Sequence, residues 1–289
     1  MVFDTVGEQD LRAENIDKVV KGFALENYKL KKICMTQSSN SWKESYYAES
    51  AAELSGSASW EGNMKYVSRL ANFPYLEPSW EKSSAYQQKH AAEGVVSWED
   101  AKTNEIDVVA RTLLRISRAI ALSVDRRIYA AITDSTITTN TAAASANWDD
   151  PTIANRDPIY DLLVGIEYIT RDNYDILANG FLLLNPEDYT NILRNSKVIN
   201  NPSFKTADVV SNGVVGSICG LKIIVSHAVD DDEAAIVVGQ VAVTWKSAAG
   251  LQTNTTYDPG IKYTIRAWEV GVPMVVNPLA IHIITNTHT

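Results

Sequence analysis

The sequence predicts an α+β fold in which one long helix joins an aromatic-rich hairpin to a strand and helix alternation. Three observations carry that expectation. Residues 97–132 contain neither proline nor glycine and keep an apolar stripe at three- and four-residue steps. Residues 36–80 replace that periodicity with Ser, Tyr and Trp among scattered charges. Residues 134–260 alternate short apolar runs with helical patterns.

The first element is an amphipathic helix within 8–33, EQDLRAENIDKVVKGFALENYKLKKI, where Leu11, Ile16, Val19, Val20, Phe23 and Leu30 recur at helical spacing. A break is expected near Gly22, the weakest helix former in the run. The stripe must be buried on the chain's own core or on a neighbouring chain.

Residues 36–80 carry Trp42, Tyr46, Tyr47, Trp60, Tyr66, Phe73, Tyr75 and Trp80, with turn residues in SGS and EGN. Aromatics favour strands and those glycines favour turns. A compact domain rarely spends this many residues on a weakly apolar segment. The segment therefore reads as a long projecting hairpin whose aromatics are covered by other subunits. The alternative is an irregular loop packed on its own domain.

The long helix opens at Ser97, followed by Asp100, in the arrangement of an N-cap. Ile106, Val109, Leu113, Ile116, Ile120, Val124 and Ile128 form its apolar stripe, and at 1.5 Å per residue it would reach about 50 Å. Trp98 reads as a packing anchor. Arg111, Arg115 and Arg118 share another face, available to an acidic partner or nucleic acid, or simply solvated.

Beyond a polar connection, 157–175 reads as a helix with Pro158 in its first turn and Ile159, Leu162, Leu163, Ile166 and Ile169 inward. GFLLL predicts a buried strand, and a helix beginning at Glu187 follows the Asn185-Pro186 turn. GLKIIVS and AAIVVG predict two strands joined around the acidic turn 230–233. The tail 261–284 predicts two strands, broken at Gly271 or Pro273 and again at Asn277-Pro278.

Composition narrows the function. A net charge of -9, from Asp+Glu 35 against Lys+Arg 26, argues against a protein that coats phosphate backbones. Cys34 and Cys219 stand far apart with no metal-ligand spacing, which predicts no disulfide and fits a reducing cytosol. The opening residues lack a basic stretch followed by an apolar run, so no secretory leader is expected. No apolar run approaches membrane-spanning length. Phosphate-binding loops, dinucleotide fingerprints and H-E-x-x-H are missing, and GSICG lacks the serine of a nucleophile elbow. His227 beside Asp230, Asp231, Asp232 and Glu233 resembles a cation site only loosely and reads as an exposed turn. No enzyme activity, cofactor or metal is expected.

Taken in order, these elements resemble the Hong Kong 97-type major capsid protein family of tailed phages and related viruses. RRIYAAI resembles the family's junction between spine helix and axial domain. NGFLLLNPEDYTNILR resembles its strand and acidic-start helix, GLKIIVSHAV followed by AAIVVGQ its axial-domain hairpin, and IRAWEVGVPMVVNPLAIHII its closing strands. The resemblance implies an N-terminal arm over 1–35, an extended hairpin loop over 36–80 and a peripheral domain with the spine helix over 81–133. An axial domain over 134–260 and closing strands over 261–289, returning to the peripheral domain, complete it.

The resemblance further implies self-assembly into pentamers and hexamers of an icosahedral shell around double-stranded DNA held without tight sequence-specific binding. The N-terminal helix would latch another subunit. Portal and cementing proteins would be partners, with assembly in the host cytoplasm and residence in the virion. Because the spine opens at Ser97 with no long coiled segment before it, a separate scaffolding protein is expected. Trp42, Tyr46, Tyr47, Trp60, Tyr66, Phe73, Tyr75, Arg111, Arg115 and Arg118 are the candidate intersubunit contacts. Some members join subunits by Lys–Asn bonds promoted by a Glu. Here the Asn position falls near Ile261 and the Glu position near Trp268, one residue from Glu269, so the joints are expected to be non-covalent. Encapsulins, nanocompartment shells of the same fold whose N-terminal helix docks cargo, are the alternative.

Overall fold

A computed structural model describes residues 13–49, 67–72, 80–103, 108–138, 140–150, 152, 155–172, 174–195, 198 and 216–288. Among them, two larger sheets contribute to an apolar core, and a two-stranded ribbon contributes none of its buried residues.

The first sheet has four strands in the order β1 (Met35–Ser38), β10 (Val243–Asp258), β11 (Lys262–Val275) and β4 (Gln88–Ser97). β10 and β11 pair antiparallel from Val243↔Val275 to Asp258↔Lys262, joined by a turn whose Gly260 takes a left-handed φ of 72°. β4 runs antiparallel to β11, and β1 parallel to β10. Along β4, His90 and Val96 are buried, whereas Lys89, Ala91, Glu93 and Val95 are exposed. That period of two gives the sheet one covered face and one open face.

Helices α1 (Ala13–Asn27) and α3 (Val108–Ile132) supply the cover, α1 against β10 and α3 against β4 and β11. Leu113, Ile116, Ile120, Val124 and Ile128 are all buried, as the stripe predicts. Gly94 lets the helix approach: a Cβ there would stand 2.8 Å from Ile116 Cδ1. The start of the spine also follows the sequence, since Ser97 Oγ accepts the Asp100 N–H at 3.0 Å and α2 spans Trp98–Thr103. Residues 104–107, with Ile106, lie outside the described residues. α3 alone is about 37 Å long. Trp98 is 36% exposed, most of its surface being covered.

α1 buries Ile16, Val20 and Ala24 within its own chain, while Val19 is exposed. Gly22 does not break it: the glycine lies on the solvent side with open space beside it. The helix stops at Asn27 instead, and a 3₁₀ turn follows at Leu30–Ile33.

The second sheet has six strands in the order β5 (Thr141–Ala143), β12 (Ile281–Thr285), β9 (Glu233–Val238), β6 (Gly180–Leu184), β8 (Leu221–Val225) and β7 (Ser217–Ile218). α4 (Pro158–Arg171) packs on β12 and β9, with short α5 (Ile176–Asn179) and α6 (Pro186–Arg194) flanking β6. α4 buries Leu162 and Ile169, but Leu163 is exposed. α6 begins as read, with Asn185 Oδ1 accepting the Glu187 N–H.

Three expectations fail here. β8 and β9 are not a hairpin, because β6 lies between them, parallel to β8 and antiparallel to β9. Leu182, Leu183 and Leu184 are all buried, so both faces of β6 need cover and a central place provides it. The 260/261 boundary also fails: β10 belongs to the first sheet and β12 to the second. Finally, β11 runs unbroken through Gly271 and Pro273. Pairing with β4 ends at Gly271↔Gln88, so Pro273 lies where β11 has a neighbour on one side only. The GSICG segment holds β7 and the two-residue turn into β8, with positive φ at Cys219 (52°) and Gly220 (84°).

Candidate functional site

Strands β2 (Lys43–Glu49) and β3 (Trp80–Tyr86) form the base of the predicted hairpin, pairing antiparallel from Lys43↔Tyr86 to Glu49↔Trp80. The Gln87 N–H closes it on the Trp42 carbonyl at 3.0 Å. Trp42 is 64% exposed, Tyr86 59% and Tyr47 54%. Tyr46 is half-buried, and that burial raises its phenol above the ordinary range. An isolated two-stranded ribbon is marginal in water. Trp60, Tyr66, Phe73 and Tyr75 lie outside the described residues.

The segment after α1 is fastened at two points. Asp125 of α3 is buried, and its carboxylate accepts the backbone N–H groups of Lys29 (2.9 Å) and Lys31 (3.2 Å). Desolvation raises this carboxyl while those N–H donors oppose the rise. Glu269 of β11, wholly buried, forms a salt bridge with Lys31 and accepts the Tyr28 hydroxyl. Lys31 Nζ also stands 4.4 Å from the Tyr28 ring centroid. Sequence reading missed this cluster. Asp125 offered a signal, as the single acid in α3 and a neighbour of the stripe residue Val124. Glu269 gave none, because its partners are more than 230 residues away.

Arg111, Arg115 and Arg118 are exposed on α3. Asp230, Asp231 and Asp232 form an exposed turn, from which Asp232 Oδ1 accepts the His288 N–H at 3.3 Å. Glu233 accepts the Tyr129 hydroxyl at 3.1 Å. Among the described residues no group of three His, Cys, Asp or Glu is placed to hold a metal, and no helix is long and apolar enough to cross a membrane.

A cleft of about 220 Å³ between β5, α4 and β12 is lined by Ser145, Tyr160, Asp161 and His282 among small apolar residues. Asp161 is spent on the Ser145 N–H and the Trp148 indole N–H, and His282 Nδ1 bonds to Asn140 Oδ1 at 2.9 Å. No nucleophile, base and orienting group are assembled there. Cys34 and Cys219 are free thiols, the first buried with its pKa pushed up to about 12.

What the arrangement offers is surface: an aromatic ribbon, a long helix and the edge strands of two sheets. The family model described as phage capsid protein matches residues 81–284, well over half of the chain. No curated protein matches. Among solved structures, the fold is similar to the virus-like particle from Pyrococcus furiosus, with TM-score 0.62 and 13% identity over 94% of this chain and 98% of that one. The capsid of cyanophage P-SCSP1u gives TM-score 0.65 and 13% identity over 91% and 90%. A phage-related protein from Bordetella bronchiseptica gives 0.60 and 14% over 94% and 96%. The chain belongs to the phage capsid protein family, with the Hong Kong 97-type fold, and is a structural shell protein rather than an enzyme.

Proposed function

We propose that this chain is a major capsid protein that assembles through non-covalent contacts into pentamers and hexamers of an icosahedral shell enclosing double-stranded DNA. One observation carries the assembly reading: the β2–β3 ribbon exposes Trp42, Tyr47 and Tyr86, a surface that a neighbouring subunit would cover. Residues 1–35 serve as the arm and 36–80 as the extended loop, whose returning strand β3 continues to Tyr86 at the entry to the next domain. The peripheral domain then takes 81–133 with β10 and β11, and the axial domain takes the six-stranded sheet including β12. Non-covalent joints are supported by Glu269, which is buried and engaged by Lys31 and Tyr28, and is therefore not poised to promote a bond between subunits. Scaffolding, portal and cementing proteins would be separate chains, and assembly would precede packaging in the host cytoplasm.

A second reading, an encapsulin-type compartment, is favoured by α1, which packs on its own chain's spine helix. Negative-stain microscopy of the purified chain, with nucleic acid and protein assayed in the particle fraction, separates the two. DNA within closed shells supports the capsid, and a co-purified enzyme supports the compartment. Absence of shells or capsomer rings, even with a scaffolding protein supplied, contradicts both.

A further inference from the structure

The spine helix carries an unusual charge distribution for so acidic a chain. Its charged residues are Arg111, Arg115, Arg118, Asp125, Arg126 and Arg127. Asp125, the single acid, is buried on the backbone of Lys29 and Lys31. Four of the five arginines are exposed, Arg127 being half-buried. At 100° per residue Arg111, Arg115, Arg118 and Arg126 fall within about 80° of arc, opposite the buried stripe of Leu113, Ile120, Val124 and Ile128. Among the described residues no ion pair engages them. The result is an uncompensated cationic row about 22 Å long.

We infer that this row is a contact surface for the phosphate backbone of the enclosed nucleic acid, an inference that rests on the capsid reading above. Two features favour a polyanion over a second copy of the chain. The exposed face of α3 presents Arg, Ala and Ser but none of the chain's exposed large apolar side chains. Protein interfaces instead need an apolar, aromatic centre, which the ribbon has and this face lacks. Guanidinium groups bind phosphate bidentately, and a duplex offers one charge per ~1.7 Å of axis, so the row needs no sequence register. Contact of this kind is weak per subunit and repeated over the shell. The remaining acidic surface keeps the nucleic acid from being held tightly, which reconciles the row with the net charge of -9.

The test uses the full-length chain expressed in bacteria, as wild type and as the triple variant Arg111→Gln, Arg115→Gln, Arg118→Gln. Each preparation is irradiated with ultraviolet light in the cells, purified, treated with nuclease, and mapped for nucleotide adducts by peptide mass spectrometry. The expected result is adducts on peptides from α3 in the wild type. In the variant, at unchanged melting temperature, these are lost and nuclease-protected nucleic acid per chain falls roughly tenfold. Wild-type adducts confined to other elements, or equal protection in the variant, would overturn the inference. Shells from the wild type but none from the variant, with adducts unchanged, would assign the row to a contact between copies and also overturn it. Micrographs of the wild-type preparation report on the shell reading separately, because adduct mapping requires no particle.

Discussion

Lys31, just after the N-terminal helix, and Glu269, in the long strand β11, form a salt bridge in which the carboxylate is wholly buried and the lysine is 19% exposed. The Tyr28 hydroxyl donates to the same carboxylate, so one side chain fixes the segment after α1 to the sheet. Removing one member of a buried charged pair costs about 3–5 kcal/mol, because the other is left desolvated. Glu269→Ala is expected to lower stability toward the low end of that range, since Lys31 can still reach water. Denaturant unfolding of the variant measures the loss, and a midpoint equal to wild type would show that the latch contributes nothing.

The ribbon predicts the opposite pattern. Trp42 and Tyr47 are more than half exposed, so Trp42→Ala and Tyr47→Ala should change the stability of the unassembled chain by less than about 0.5 kcal/mol. Assembly, followed by light scattering, should nevertheless slow or stop. Normal assembly in the double variant would remove the ribbon from the set of joints.

Gly165 of α4 faces β12 and β9. A Cβ there would stand 2.6 Å from Ile236 Cδ1 and 2.8 Å from the His282 ring. Gly165→Val should therefore destabilise the six-stranded sheet by about 1–3 kcal/mol through overpacking. Thermal melting checks it, and an unchanged melt would mean the helix can move away freely.

The C-terminal residues carry a pH dependence. Asp188 of α6 is buried beneath Thr287, whose hydroxyl donates to it at 2.9 Å. Burial pushes its carboxyl up to about 7, Asp232 and Asp149 add to the rise, and Thr287 and His288 oppose it. Its folded pKa lies above the ordinary 3.8, so its contribution is complete below about pH 4 and lost as pH rises through about 7. His282 runs the other way: burial pushes it down to about 4, and its contribution is complete above 6.5 and lost as pH falls through about 4. Asp188→Asn should thus melt higher than wild type above about pH 7 and equal to it below about pH 4. A constant difference at all pH values would contradict this.

The spine, the ribbon and the order of elements were legible because each writes a local signal: an uninterrupted apolar stripe, an aromatic run without helical period, the alternation of strands and helices. What was not legible depends on pairs distant in sequence. β6 slots between β8 and β9, β10 joins β1 at the first sheet, and β12 joins β9, because burial on both faces, not chain proximity, sets strand order. Gly22 looked like a helix break by propensity, yet tertiary packing carries α1 past it and the Asp125 carboxylate fixes where the 3₁₀ turn begins. Tyr46 and Tyr47 lie on the ribbon and Trp42 just before it, in the segment whose aromatic run the sequence showed, whereas the latch at Glu269 left no trace in composition or spacing.

The central claim is that this chain builds a shell by laying its ribbon on a neighbour, and a cryo-electron microscopy reconstruction of the purified assembled protein tests it most directly. The account predicts closed shells of pentamers and hexamers with Trp42, Tyr47 and Tyr86 buried against an adjacent subunit's four-stranded sheet. Shells in which these side chains stay exposed, or a dispersed chain whose ribbon folds back on its own core, would contradict it.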